Sequence, residues 1–322
     1  MSVSTRRAAG DSVTRSREEP RPGDHQEVLI RILSFTVSVA SNSPAILRVL
    51  ASLYPVAMGG VRPPASPYLR LCVTEQGRDG EGHGYELREA NGTSQLFSST
   101  SDAVAHLDYR IAAAALRHLS RHLLVHAGAV VGSGDGVLLP ATSGGGKSTL
   151  VAALCLSGFR YLSDELAILA GERPAMLPFP RVICLKAGGW RALAESFDVP
   201  PLSLEACRDD GERVGYLPAP LVSAPGSPVP VRYIVVPVRR PGAHASLAPL
   251  SRAATVVELV RQSLNLPRHG RKGVESLARV VEGAECYSLT YDCLPEAVDR
   301  VSDLVGADRM AIPGPGSVRR RA

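Results

Sequence analysis

The amino-acid sequence predicts an α/β fold, and three observations lead there. Strand-type alternation and helix-type spacing take turns along the chain from Val28 to Leu304. A short apolar strand, Val137-Leu138-Leu139, runs straight into a glycine-rich turn, and helical spacing begins again at Lys147. No window approaches the roughly 18 uninterrupted apolar residues of a membrane-spanning helix. A length of 322 residues allows one large domain or two modest ones.

Taken in order, residues 1–27 are polar, charged and rich in Pro and Gly, and are expected to be disordered. The segment 28–40 alternates as one strand should, through Val28, Ile30 and Ile32, then Phe35, Val37 and Val39. Helical spacing follows over 44–54, with Pro44 near the first turn and Ile46, Leu47, Leu50 and Leu53 on one stripe. Short strands are expected at 68–73 and 84–89, so that 28–100 forms a small N-terminal α/β region. The main domain, 101–310, opens with a long helix over 102–123, capped by Ser101 or Asp102. A strand over 123–131 carries His126, a tight turn covers 132–136, and 136–140 is the strand before the glycine-rich loop. The next helix spans 147–156 and stops at Gly158. Strands are expected at 161–169, 231–238 and 286–291, and helices at 251–264, 273–281 and 294–304, with an irregular loop over 218–230. Residues 311–322 form a Pro/Gly-rich, basic tail expected to be disordered.

The net charge is +5, yet almost all cations are arginine, with lysine only at 147, 186 and 272. That bias accompanies an Ala/Arg/Pro-rich composition, and aromatics make up only 5% of the chain, so neither nucleic acid nor a base-stacking surface is expected. The six cysteines form no C-x-x-C pair, which argues against a zinc site. With no apolar leader segment either, a cytoplasmic location is expected.

The chemistry is concentrated at Ala141, Thr142, Ser143, Gly144, Gly145, Gly146, Lys147, Ser148 and Thr149. Consecutive backbone N–H groups in such a turn make a concave anion site, and the positive end of the following helix adds to it. Glycines let phosphate oxygens approach without meeting a Cβ. In this P-loop pattern Lys147 reaches the β- and γ-phosphates of ATP, and the Ser148 hydroxyl is offered to Mg²⁺. The first position is Ala141 where the strict motif has glycine. Asp164 and Glu165 close a strand soon after the P-loop helix, where a carboxylate can hold Mg²⁺ or take a proton from an attacking hydroxyl.

The order of these features resembles the HPr kinase/phosphorylase family and its divergent kinase-like relatives. That family has a histidine followed by a small residue and glycine, then a hairpin, a P-loop, a short helix ending in glycine and an acidic pair. Here the same order is His126-Ala127-Gly128, the hairpin to Pro140, the loop 141–148, Gly158 and Asp164-Glu165. The match is close over 123–169 and looser over 178–186. The resemblance implies a P-loop kinase core of the HPr kinase and phosphoenolpyruvate carboxykinase type, with a mixed sheet. It implies Asp164 as the general base, Glu165 with Ser148 and Asp164 at the metal, and His126 beside the phosphates. It also implies Arg181 and Lys186, in a Pro-Arg…Leu-Lys stretch, as cations for the transferred phosphoryl group. Arg239 and Arg240 are a further pair of candidate cations. Glu165 stands where the family usually has a second aspartate, and the glycine-rich signature of the HPr-recognition region is absent. The expected reaction is transfer of the γ-phosphoryl of Mg-ATP to a hydroxyl, a serine of a peptide or protein or a small molecule, with a peptide natural-product precursor among the acceptors. A homo-oligomer is implied as well. The competing reading is a P-loop ATPase or nucleotide switch with water as its only acceptor.

Overall fold

The computed structural model describes residues 25–55, 67–76, 84–142, 144–170, 174–208, 211–223 and 227–306. The expected tails lie outside these residues, except for 25–27, and so does Ser143. The architecture is mixed α/β with three sheets.

The N-terminal unit is a five-stranded sheet, β1 (Gln26–Ile32), β2 (Phe35–Ser41), β3 (Leu69–Gln76), β4 (Gly84–Glu89) and β5 (Ser94–Phe97), in sequential order. The expected single strand over 28–40 is instead the β1–β2 hairpin, turning at Leu33 with φ 55°. The parity of the apolar residues shifts at that point, from Val28-Ile30-Ile32 to Phe35-Val37-Val39, because a two-residue turn resets which face is buried. Helix α1 (Pro44–Leu53) links β2 to β3, which run parallel. Helix α2 (Thr100–His118) is capped by the Ser99 hydroxyl, which accepts from the Asp102 N–H at 3.1 Å.

The central sheet comprises β6 (Leu123–Gly132), β7 (Asp135–Pro140), β8 (Arg160–Ser163), β9 (Leu166–Ala170), β10 (Ala175–Leu177), β14 (Val229–Arg239), β15 (Ser246–Pro249) and β16 (Glu285–Tyr291). Between β10 and β14 lies a three-stranded sheet of β11 (Ile183–Lys186), β12 (Leu204–Cys207) and β13 (Arg213–Leu217). The β6–β7 turn has positive φ at both central residues, Ser133 (50°) and Gly134 (93°), the twist that a two-residue hairpin needs. Strands β7, β14 and β16 are parallel neighbours, so their C-terminal ends share one edge. The expected strand over 161–169 is broken at Asp164-Glu165. Strand β8 pairs with residues 129–131 of β6 and β9 with 123–126, while the Ala127 N–H donates to the Glu165 carbonyl at 3.2 Å. A bulge of this kind turns side chains off the sheet's alternation.

Period-2 alternation sorts the two faces. Val130, Val137, Leu139, Val235 and Tyr291 pack beneath α3 (Lys147–Leu156), α4 (Ala187–Ser196) and α7 (Leu294–Val305). Val125, Ala127, Ala129, Leu138 and Ile234 pack beneath α5 (Arg252–Gln262) and α6 (Leu266–Glu282). The core of the N-terminal unit is continuous with Phe179, Val182 and Tyr216 of the segment between β10 and β14. Among the described residues no helix is long and apolar enough to cross a membrane.

Gly128 sets how closely α3 lies on β6, since a Cβ there would stand 2.5 Å from Val151 Cγ2 and 3.3 Å from Lys147 Cγ. The Gly128→Ala variant is therefore expected to lose about 1–3 kcal/mol in urea denaturation. Adding Val151→Ala should recover part of that loss; no recovery would place the cost elsewhere.

Candidate active site

The parallel strands β7, β14 and β16 deliver three features to one edge: the loop after Pro140, Arg239, and Tyr291 with Asp292. Ligands in sheets of this kind settle outside the C-terminal strand ends. A cleft of about 640 Å³ opens there, lined by the loop, the start of α3, Lys186 and Arg208 among others.

Gly144 and Gly146 hold φ of 83° and 78°, left-handed values that L side chains rarely adopt. The Gly145 N–H donates to the Thr142 carbonyl at 3.1 Å and closes the turn. A Cβ on Gly146 would lie 3.0 Å from the Tyr291 hydroxyl. That hydroxyl is buried without a hydrogen-bond partner among the described residues, and burial pushes its pKa up to about 12, so it remains a donor. Thr149 packs against Gly189 at the start of α4, where a Cβ would meet its hydroxyl oxygen at 2.3 Å.

Even-numbered residues at this part of β6 face α3. His126 is therefore placed beneath Lys147, whose Nζ lies 2.7 Å from His126 Nε2. Burial and the neighbouring ammonium lower the His126 pKa, so the imidazole is neutral and Nε2 accepts from the lysine. The Gln262 side chain bonds the ring as well, while its amide nitrogen donates to Glu258 Oε1 at 2.8 Å. Burial also lowers the Lys147 pKa, against the opposing pull of Asp164 and Glu165.

The two carboxylates at the bulge part company. Asp164 is 1% exposed and does not line the cleft. Its Oδ1 accepts from the Tyr161 hydroxyl at 2.7 Å and its Oδ2 from the Cys184 N–H at 3.1 Å. Glu165 does line the cleft, with a side chain 53% exposed and Oε2 accepting from Arg181 Nη2 at 3.0 Å. The Arg181 guanidinium holds the Glu165 carboxyl below the usual carboxylate range, against the opposing effect of burial. The sequence expectation gave the base role to Asp164; the carboxylate that lines the cleft is Glu165.

Arg181 is also placed differently from its expected role. It is 5% exposed and lies among carboxylates, with Nη1 3.2 Å from Asp108 Oδ2, and outside the cleft lining. Burial alone would lower its pKa, but Asp108, Asp164 and Glu165 outweigh that and hold it well above the ordinary value. One guanidinium faces three carboxylates, and Lys147 and Arg208 add their positive charge at Glu165. Lys186 does face the cleft, paired with Glu212 at 2.7 Å. Arg239 lines the cleft too, its Nε 3.3 Å from Asp292 Oδ1. Among the described residues no group of three or more His, Cys, Asp or Glu side chains is arranged to hold a metal ion. Ser148 and Glu165 supply oxygen at the loop, which suits Mg²⁺, an ion that keeps waters and phosphate oxygens as most of its ligands.

No known family model matches the chain, and no curated protein matches it. The site therefore rests on its own geometry. Sequence reading missed Tyr291, Asp108, Tyr161 and Gln262. A signal existed for Asp108: it follows Val104 by four positions and precedes Ile111 by three, which puts a charge on the buried stripe of α2.

The depressed His126 pKa carries a stability consequence. The unfolded imidazole takes up its proton near pH 6.5, before the folded one does, so acidification through and below that value costs stability. Glu165 adds its own loss only in the lower, carboxylate range. The His126→Gln variant is expected to lose less stability than wild type between pH 7 and 5 in denaturant melts. An equally steep fall would show that His126 does not carry the effect.

Proposed function

We propose that the chain is an ATP-dependent phosphotransferase that moves the γ-phosphoryl group of Mg-ATP to a hydroxyl, that of a serine in a peptide or protein acceptor. The observation that carries this reading is the strand–loop–helix edge. Left-handed Gly144 and Gly146, the Lys147 ammonium, the Tyr291 residue whose hydroxyl has no partner among the described residues, and the Glu165 carboxylate all line one cleft.

The loop N–H groups and the α3 N-terminus favour polyphosphate over water at the turn. Lys147 holds its charge against the β–γ bridge, and neutral His126 fixes the direction of its ammonium without adding repulsion. Ser148 and Glu165 would hold the magnesium ion, which when bound neutralises charge developing on the phosphate oxygens. The acceptor oxygen forms its bond to the γ-phosphorus as the bond to the bridging oxygen breaks. The hydroxyl proton is released to water in the open cleft and the nucleoside diphosphate leaves, while Glu165 stays at the metal with Oε2 held by Arg181. In a loose transition state this proton is lost late, so positioning and charge supply most of the rate. Lys186 and Arg239, both lining the cleft, are the cations placed to meet the transferred group, the role first expected of Arg181 and Lys186.

The test is transfer of label from γ-labelled ATP with Mg²⁺ to a serine-containing peptide library. Wild type should label an acceptor, and Lys147→Ala and Glu165→Gln should each reduce transfer on the order of 100-fold or more while remaining folded. Phosphate release that no acceptor alters would replace this reading with an ATPase.

A further inference from the structure

Glu165 projects from a bulge, where the backbone alone leaves its side chain free to swing. The one hydrogen bond of its carboxylate among the described residues is from Arg181 Nη2. The same Nη2 lies 3.5 Å from Asp164 Oδ1, too long for a strong bond. Left to itself, a guanidinium between two adjacent carboxylates would turn its fork onto both. It is held away from that geometry by Asp108, whose Oδ2 accepts from Nη1 at 3.2 Å. Asp108 is itself pinned, Oδ1 by the Tyr54 hydroxyl at 2.7 Å and Oδ2 by the Tyr216 hydroxyl at 3.1 Å. It sits on α2 of the N-terminal unit, is 1% exposed and is absent from the cleft lining.

We propose that Asp108 is a positioning residue for Glu165: by holding Arg181 through Nη1 it presents Nη2 to Glu165 and keeps that carboxylate at the phosphate end of the cleft. The N-terminal unit thereby becomes part of the active site. This inference rests on the role given to Glu165 above.

The Asp108→Asn variant keeps the shape of the side chain but loses an acceptor. Tyr54, Tyr216 and Arg181 all donate to this position, and the amide offers them one acceptor oxygen fewer and no charge to pair with Arg181. The experiment is calorimetric titration of the full-length protein with ATP, in Mg²⁺ and in EDTA, for wild type, Asp108→Asn, Glu165→Gln and the double variant. Asp108→Asn is expected to weaken ATP binding in Mg²⁺ by about 10- to 100-fold and binding in EDTA by less than about threefold. In the Glu165→Gln background it should cause no further loss, because the two changes remove one interaction. An additive loss, or an equal loss in EDTA, would overturn the proposal and leave Asp108 with a purely structural role. Should Asp108→Asn not fold, Tyr216→Phe loosens the same carboxylate without a change of charge. It must show the same pattern in smaller measure, and Mg²⁺-dependent binding left unaltered there sinks the idea. A wild-type chain that binds no ATP under either condition refutes the phosphotransferase reading and this inference together, whereas binding with additive losses refutes this inference alone.

Discussion

Arg181 is the charge on which the rest of the arrangement depends. A guanidinium 5% exposed cannot remain in the interior without partners, and its partners come from separate parts of the chain: Asp108 on α2 and the Asp164-Glu165 bulge between β8 and β9. Removing one side of such a buried pair typically costs about 3–5 kcal/mol, because the other charge is left uncompensated. The N-terminal unit and the central sheet are therefore joined by more than apolar contact. Backbone bonding follows the same route, since the Val182 N–H donates to the Leu53 carbonyl at the end of α1. Tyr54, the residue that follows α1, places its hydroxyl on Asp108.

A second constraint is steric. The α3 helix lies so close to β6 that the strand must carry glycine at 128, and a similar close approach of Phe159 requires Gly132. That closeness is what brings Lys147 down onto His126. Were α3 lifted by one methyl group, the lysine would no longer meet an imidazole buried on the same face. The face alternation that packs the core also sets this pair, so the geometry of the loop is inherited from the packing beneath it.

Much of the chain was legible in its sequence, and the failures have particular causes. Helices α1, α3 and α7 were readable because a Pro near the start or a Gly at the end marks their limits and their apolar stripes are regular. The β1–β2 hairpin was read as one strand because Leu33 and Ser34 are not turn residues, and only the shift in apolar parity betrays the turn. Helix α4 begins with Gly188 and Gly189, poor helix formers, which hid it; Gly189 is needed there because Thr149 comes so near. In the site, Gly144, Gly146, Lys147 and Ser148 reached the cleft edge as the local motif requires. Arg181 and Asp164 did not line it, since nothing local distinguishes a cation bound for solvent from one bound for the buried Asp108 and Asp164 and the half-exposed Glu165.

By itself the sequence determined the α/β class, the strand–loop–helix with its glycine-rich turn, and the presence of a histidine and an acidic pair near it in order. These are properties of neighbours in the chain, set by periodicity, glycine conformation and capping. Tertiary structure alone decided which carboxylate faces the cleft, which arginine is withdrawn from it, and that the Tyr291 hydroxyl beside Gly146 has no partner among the described residues. Exposure and charge pairing depend on groups such as Asp108 and Arg181, 73 positions apart, and no local pattern records what such residues will meet.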